Sequence, residues 1–214
     1  MAAVLVQRGV SGLPVGRAQQ SRAAPGKRYG SRHGTQVSGG DAASLALLIF
    51  RIALGVVFLA HGYNHVFGGG KIAGTARWFE SLGMRPGWLH AWTASFTELG
   101  AGALLVLGLA TPLACAGVIG TMTVAWITNH LRNGFFIFRP GEGYEYVMTL
   151  VAAAVGLAGV GGGYWSLDHA LGWFSPPGWI GLAIALAAGF GGAAGLLVVS
   201  WRPPKTTADQ ADAH

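Results

Sequence analysis

Between Leu45 and Phe67 the chain reads LALLIFRIALGVVFLAHGYNHVF, with Arg51 as its single permanent charge. About 20 consecutive apolar residues are what one helical crossing of a bilayer requires. Four further runs of that kind follow: Ala91–Leu109 with Glu98 inside it, Pro112–Leu131, Gly143–Val160 with Glu145 near its start, and Trp179–Trp201 with no ionisable residue. Hydrocarbon offers no partner to a free peptide group, so each run must bond its own backbone as a helix. The expected fold is therefore all-α, a polytopic transmembrane helical bundle. Composition agrees, because charged residues make up 10% of the chain against about a quarter in soluble domains. The 36 glycines suit a membrane bundle, where small residues let helices approach closely.

The runs also divide the chain. Residues 1–44 read as a disordered basic tail: Arg8, Arg17, Arg22, Lys27, Arg28 and Arg32 occur in the first 40 residues without an acid and equal the net charge of +6. Beside a membrane helix such a tail is a topology or anionic-lipid signal, and nucleic acid is not the expected partner. Residues 45–172 form a four-helix membrane core, 173–201 an additional transmembrane helix, and 202–214 a second disordered tail. Inside the core, IAGTARWFESLGM places Ile72, Ala76, Phe79 and Leu82 on one face, which predicts a short amphipathic helix at the interface over about 72–83. Cys115 is the one cysteine, and no Cys-x-x-Cys is present for thiolate metal, iron–sulfur or haem attachment.

Threading these runs up and down sorts the polar residues. With the N-terminal side called A and the opposite side B, the first run ends at B with His61, Asn64 and His65. The second run starts at B and holds Glu98 about 10 Å in, at 1.5 Å per residue. The third ends at B with Asn129, His130 and Asn133, and the fourth begins there with Tyr144, Glu145 and Tyr146. Side A shows almost nothing comparable. Ionisable groups in lipid turn inward and pair, so an Arg51–Glu98 pair is expected, with His61, Asn64, His65, His130, Asn133 and Glu145 around a B-side pocket. Taken singly, these residues also suit structural roles: an interfacial imidazole, an asparagine capping a helix, a carboxylate at a helix N-terminus, a buried ion pair fixing register.

Three chemistries suit such a pocket to different degrees. A metal could use His61 and His65, four residues apart on one face, but the sharper HExxH and EExxH companions are missing. An axial haem ligand would have to lie deeper. A quinone fits better, because its carbonyls accept from His, Tyr or Asn and a carboxylate can exchange its protons. Its tail needs an apolar lateral groove, with Phe58, Trp92, Trp126, Phe135 and Phe136 as candidate aromatics.

In order along the chain, RIALGVVFLAHGYNHVFGG, SLGM with Pro86, ELGAGALLVLGLATPLA, HLRNGFF, GYEY and YWSLDHALG resemble the DoxX family of small membrane proteins. The resemblance spans residues 45–172 and implies a four-helix membrane core tied to membrane redox chemistry. It implies a subunit of a quinone-linked oxidoreductase complex, with other membrane or membrane-associated subunits as partners; the ligand-free fifth run, its GxxxG and the basic tail suit instead a non-catalytic assembly subunit. By position its pattern falls on Arg51, His61, Gly62, Glu98, Gly100, His130, Asn133, Gly134, Gly143, Glu145, Ser166 and Asp168. The basic residue expected before YWSLD is missing, which puts a role for that motif in doubt. The fifth run lies outside the pattern and carries Gly191 and Gly195 as a GxxxG packing or partner face. The expected location is the bacterial plasma membrane, with the N-terminal side cytoplasmic because the first helix usually sets topology.

Overall fold

The computed structural model describes residues 39–173 and 178–204, and among them no β-strand occurs. The elements are α1 (Gly39–Phe67), α2 (Lys71–Ser81), α3 (Gly87–Leu107), α4 (Thr111–Ala125), α5 (Glu145–Val160), α6 (Leu167–Ala170) and α7 (Trp179–Ser200). A π-helical turn, Trp126–His130, and a 3-10 turn, Leu131–Asn133, extend α4. The residues of α1, of Thr111–Asn133 and of α7 form helices long and apolar enough to cross a membrane, and α5 is a shorter apolar helix. The fold is the all-α membrane bundle expected. Helix α1 starts at Gly39, within the segment read as tail, and the remaining tail residues, 1–38 and 205–214, lie outside the described residues.

The packing turns a soluble protein inside out. Large apolar side chains stand exposed around the bundle, Trp179 at 85%, Ile180 at 76% and Phe96 at 66%. In water a surface this apolar would drive association; in a bilayer it meets lipid. Glycine brings the helices together inside. A Cβ on Gly55 would sit 2.7 Å from the Gly102 carbonyl, and one on Gly102 would sit 2.7 Å from the Gly55 carbonyl. So α1 and α3 lie backbone against backbone. Gly62 meets Leu99 in the same seam, whereas a Cβ on Gly100 would touch nothing. Helix α7 buries Gly181, Ala185, Gly189 and Ala193, one residue per turn, and packs mainly against α4. The pair Gly191 and Gly195 looks away from the chain, with nothing near either position.

At the A end the structure overturns the expected pairing. Arg51 is fully buried and makes no bond to Glu98. Its Nη1 donates to the Leu105 and Val106 carbonyls at 2.8 and 3.4 Å, and its Nη2 to the Trp165 carbonyl at 2.7 Å. The reason is depth. Arg51 lies 14 residues before His65, about 21 Å along a helix, and Glu98 sits beside His65.

Side A is therefore not empty of polar structure. The α3–α4 turn is closed by Gly108 in the left-handed region (φ 63°), where a Cβ would strike the Arg51 guanidinium. Asp168, 4% exposed, accepts from Ala110 N at 2.6 Å and Thr111 N at 2.8 Å, and its own N–H donates to the Gly108 carbonyl at 2.8 Å. These bonds cap α4 and hold Ala110 at φ 46°, a conformation that strains a residue with a Cβ. The YWSLD motif thus acts structurally, since its aspartate and its arginine-binding carbonyl brace one turn.

Asp168→Ala should lower stability by about 3 kcal/mol, because two buried N–H groups lose their acceptor and a buried guanidinium loses nearby negative charge. Ala110→Gly should raise it by about 1 kcal/mol. Thermal melts in detergent would report both.

Candidate functional site

The B end is built differently. The last turn of α1 carries His61 and His65 on one face, and α2 folds back beneath it, fastened where Thr75 Oγ1 donates to the His65 carbonyl at 2.9 Å. The amphipathic pattern of α2 buries Phe79 and leaves Trp78 partly exposed. Phe79 lies between two imidazoles, with ring centroids 6.5 Å from His65 and 6.3 Å from His90. The buried stripe of α3 includes Gly87, His90, Ala91, Ser95 and Glu98, which sets His90 and Glu98 on the inward side two turns apart.

His61, His65, Glu98 and His130 line a single cavity of about 530 Å³, joined by His90 and Tyr146. This volume is in the range of small-molecule sites. His65 Nδ1 stands 3.2 Å from Glu98 Oε2, yet neither atom has a partner of hydrogen-bond geometry, and neither does His90 Nε2. His90 and Glu98 are each only 4% exposed. Buried polar atoms are nearly always bonded, and leaving one unmet costs about 1–3 kcal/mol. All three atoms stand at one cavity, two of them facing each other across the His65–Glu98 ion pair.

The other expected members belong elsewhere. Asn64 ends α1, with its side chain against Gly68. Asn133 Nδ2 donates to the Asn129, Gly141 and Glu142 carbonyls. Glu145 Oε1 accepts from Ile137 N at 2.9 Å. His130 lines the cavity, but both ring nitrogens are engaged: Nδ1 donates to the Glu142 carbonyl at 2.8 Å, which leaves Nε2 to accept from Asn129 Nδ2 at 3.2 Å. The motifs HLRNGFF and GYEY therefore stitch the 134–143 loop onto the end of α4. Gly143 is needed there, since a Cβ would collide with three carbonyls. The aromatics that line the cavity are Trp78, Phe79 and Tyr146, and none of Phe58, Trp92, Trp126, Phe135 and Phe136 does.

His90 is the residue that sequence reasoning passed over. It falls at the end of an irregular stretch of sequence, although it shares the inward stripe of Glu98. Among the described residues no group of three His, Cys, Asp or Glu side chains could hold a metal ion.

Asn133→Ala should speed amide exchange at Gly143, Tyr144 and Glu145 about tenfold, the effect of about 1.4 kcal/mol of lost hydrogen bonding. Hydrogen exchange read by mass spectrometry would show it.

Residues 46–131 match the family model described as DoxX. No curated protein and no solved structure matches the chain. The matched segment runs from α1 through the π-helical turn and contains His61, His65, His90, Glu98 and His130. The α5 to α7 segment lies beyond it.

Proposed function

We propose, on the premise that the chain belongs to the DoxX family through residues 46–131, that this integral membrane protein holds a neutral ring compound of the quinone class in the B-end cavity. It would do so as a subunit of a redox-linked membrane complex. The observation that carries the reading is the buried His90 Nε2 without a partner beside a His65–Glu98 ion pair that lacks hydrogen-bond geometry, all around that cavity.

These residues fit the group. An imidazole can donate to a ring carbonyl, or accept from the corresponding hydroxyl, according to its tautomer. Glu98 accepts when ionised and donates when protonated, so the same side chain suits either form of the ring. When bound, a quinone supplies two-electron, two-proton chemistry. The chain's own part is to bind and orient the ring and to hold or pass protons at His65, His90 and Glu98. With one cysteine and no Cys-x-x-Cys, the chain leaves thiol-based electron carriage to a partner. The family resemblance supports a partner complex, and the basic tail supports an N-terminal side facing the cytoplasm of a bacterial plasma membrane.

A second reading, a non-catalytic assembly subunit, draws on the Gly191 and Gly195 face of α7, where an added Cβ would meet nothing within 4 Å among the described residues. That reading expects the protein to co-purify with a larger membrane complex whose activity survives loss of the cavity polar groups.

Titrating the purified protein with a short-tailed quinone separates the two. Binding should weaken about tenfold in Glu98→Ala and in His90→Ala, the loss of one hydrogen bond each, and hold in Asn64→Ala. A wild-type protein that binds no quinone, or variants that bind it equally well, would sink the first reading.

A further inference from the structure

The cavity has a long apolar half as well as a polar end. Along α4 and its π-helical extension its lining runs from Ala116 to His130, about 20 Å at 1.5 Å per residue and two thirds of a hydrocarbon core of about 30 Å. The unmet atoms of His65, His90 and Glu98 gather at the B end. Deeper in, the walls are Gly117 and Gly120 of α4 and Ala188, Gly189 and Gly192 of α7.

The helix arrangement makes this half a cleft. Both α3 and α7 pack on α4, yet they scarcely meet each other, so α4 is a floor between two flanks. At the B end the cleft is closed where Met84 and Trp201 pair as an isolated antiparallel bridge, with Trp201 Nε1 donating to the Leu82 carbonyl at 3.0 Å. Two of the cleft glycines are demanded by packing. A Cβ on Gly189 would come within 2.7 Å of Ile119, and one on Gly117 within 3.1 Å of Ala101. Gly192 is different: a Cβ there would meet nothing within 4 Å. Close packing does not account for the missing side chain, and its effect is to keep the cleft wide.

We infer that the α3–α7 cleft seats the single apolar chain of a neutral membrane amphiphile, whose hydrogen-bonding head lies at His65, His90 and Glu98 and whose chain is admitted past Gly192. The lining includes Glu98 and Glu142 and neither lysine nor arginine, so an anionic head would find no permanent counter-charge and two carboxylates in the same lining. This rests on the cavity reading above for its polar end, but does not require the head to be a quinone ring. The wall that admits the chain is α7, which lies outside the family-matched segment.

Photolabelling of the purified full-length protein tests it. The probes are a long-chain alcohol with a diazirine at the chain terminus and the matching carboxylate. The alcohol should label residues 117–124 of α4 in preference to the outward Ile49, Ile52 and Val56 of α1. Gly192→Trp should cut that α4 label about fivefold and leave the α1 label unchanged, and Ala188→Phe serves the same comparison should the tryptophan variant misfold. The carboxylate should label α4 about fivefold less than the alcohol. Equal labelling of α4 and α1 in the wild type, no effect of the blocking variants, or equal labelling by both probes would overturn the proposal. Labelled α4 without quinone binding would leave this inference standing and remove the ring; quinone binding without α4 label would do the reverse.

Discussion

Hydrocarbon forms no hydrogen bonds, so every polar group carried into this bundle must find its partner within the chain or in something the chain binds. The two ends of the molecule answer that demand differently, although Arg51 Nε and Thr111 Oγ1 at the A end also lack a partner. At the A end a buried arginine and a buried aspartate close onto peptide groups: Arg51 onto the last carbonyls of α3, Asp168 onto the first N–H groups of α4. Polar side chains there serve as caps where a tight turn leaves helix termini unsatisfied. At the B end, His65, His90 and Glu98 hold buried polar atoms that remain incompletely bonded around a cavity. One end is a brace and the other surrounds a cavity.

The glycines connect these roles to the packing. Where Gly55 and Gly102 face each other, the α1–α3 seam is tight enough that the orientation of both helices is set by backbone contact. That rigidity fixes the position of His65 relative to Glu98. Where a Cβ on Gly189 would come within 2.7 Å of Ile119, α7 is likewise drawn onto α4. The cavity is the space these two tight pairs leave between them.

Much of this architecture can be read from the residues, because bilayer thickness imposes a length and alternate threading imposes a side. The amphipathic α2, the antiparallel run of α3 and α4, and the gathering of His61, His65, Glu98 and His130 all follow from those constraints. What the residues conceal is depth and irregular backbone. Angular position alone allows Arg51 to face Glu98, but the axial separation defeats the pair. Asn133 and Glu145 share a membrane face with the cavity and still point into the 134–143 loop, whose carbonyls and amides need them. His90 is hidden because the boundary of α3 falls four residues before the apolar run begins. The partners of Asp168 are hidden because they are main-chain atoms nearly 60 residues away, which carry no side-chain signature.

The pairing of Met84 with Trp201 joins the turn before α3 to the far end of α7. A chain made from its N-terminus folds its early parts first, so the helices bearing the histidines and the acid enter the lipid well before their last wall exists. Until ribosomal synthesis reaches Trp201 and that clasp shuts, the half-built chamber lies open sideways to the membrane. A nascent or truncated chain lacking the final helix would thus leave its imidazoles and carboxylate without the wall that α7 provides.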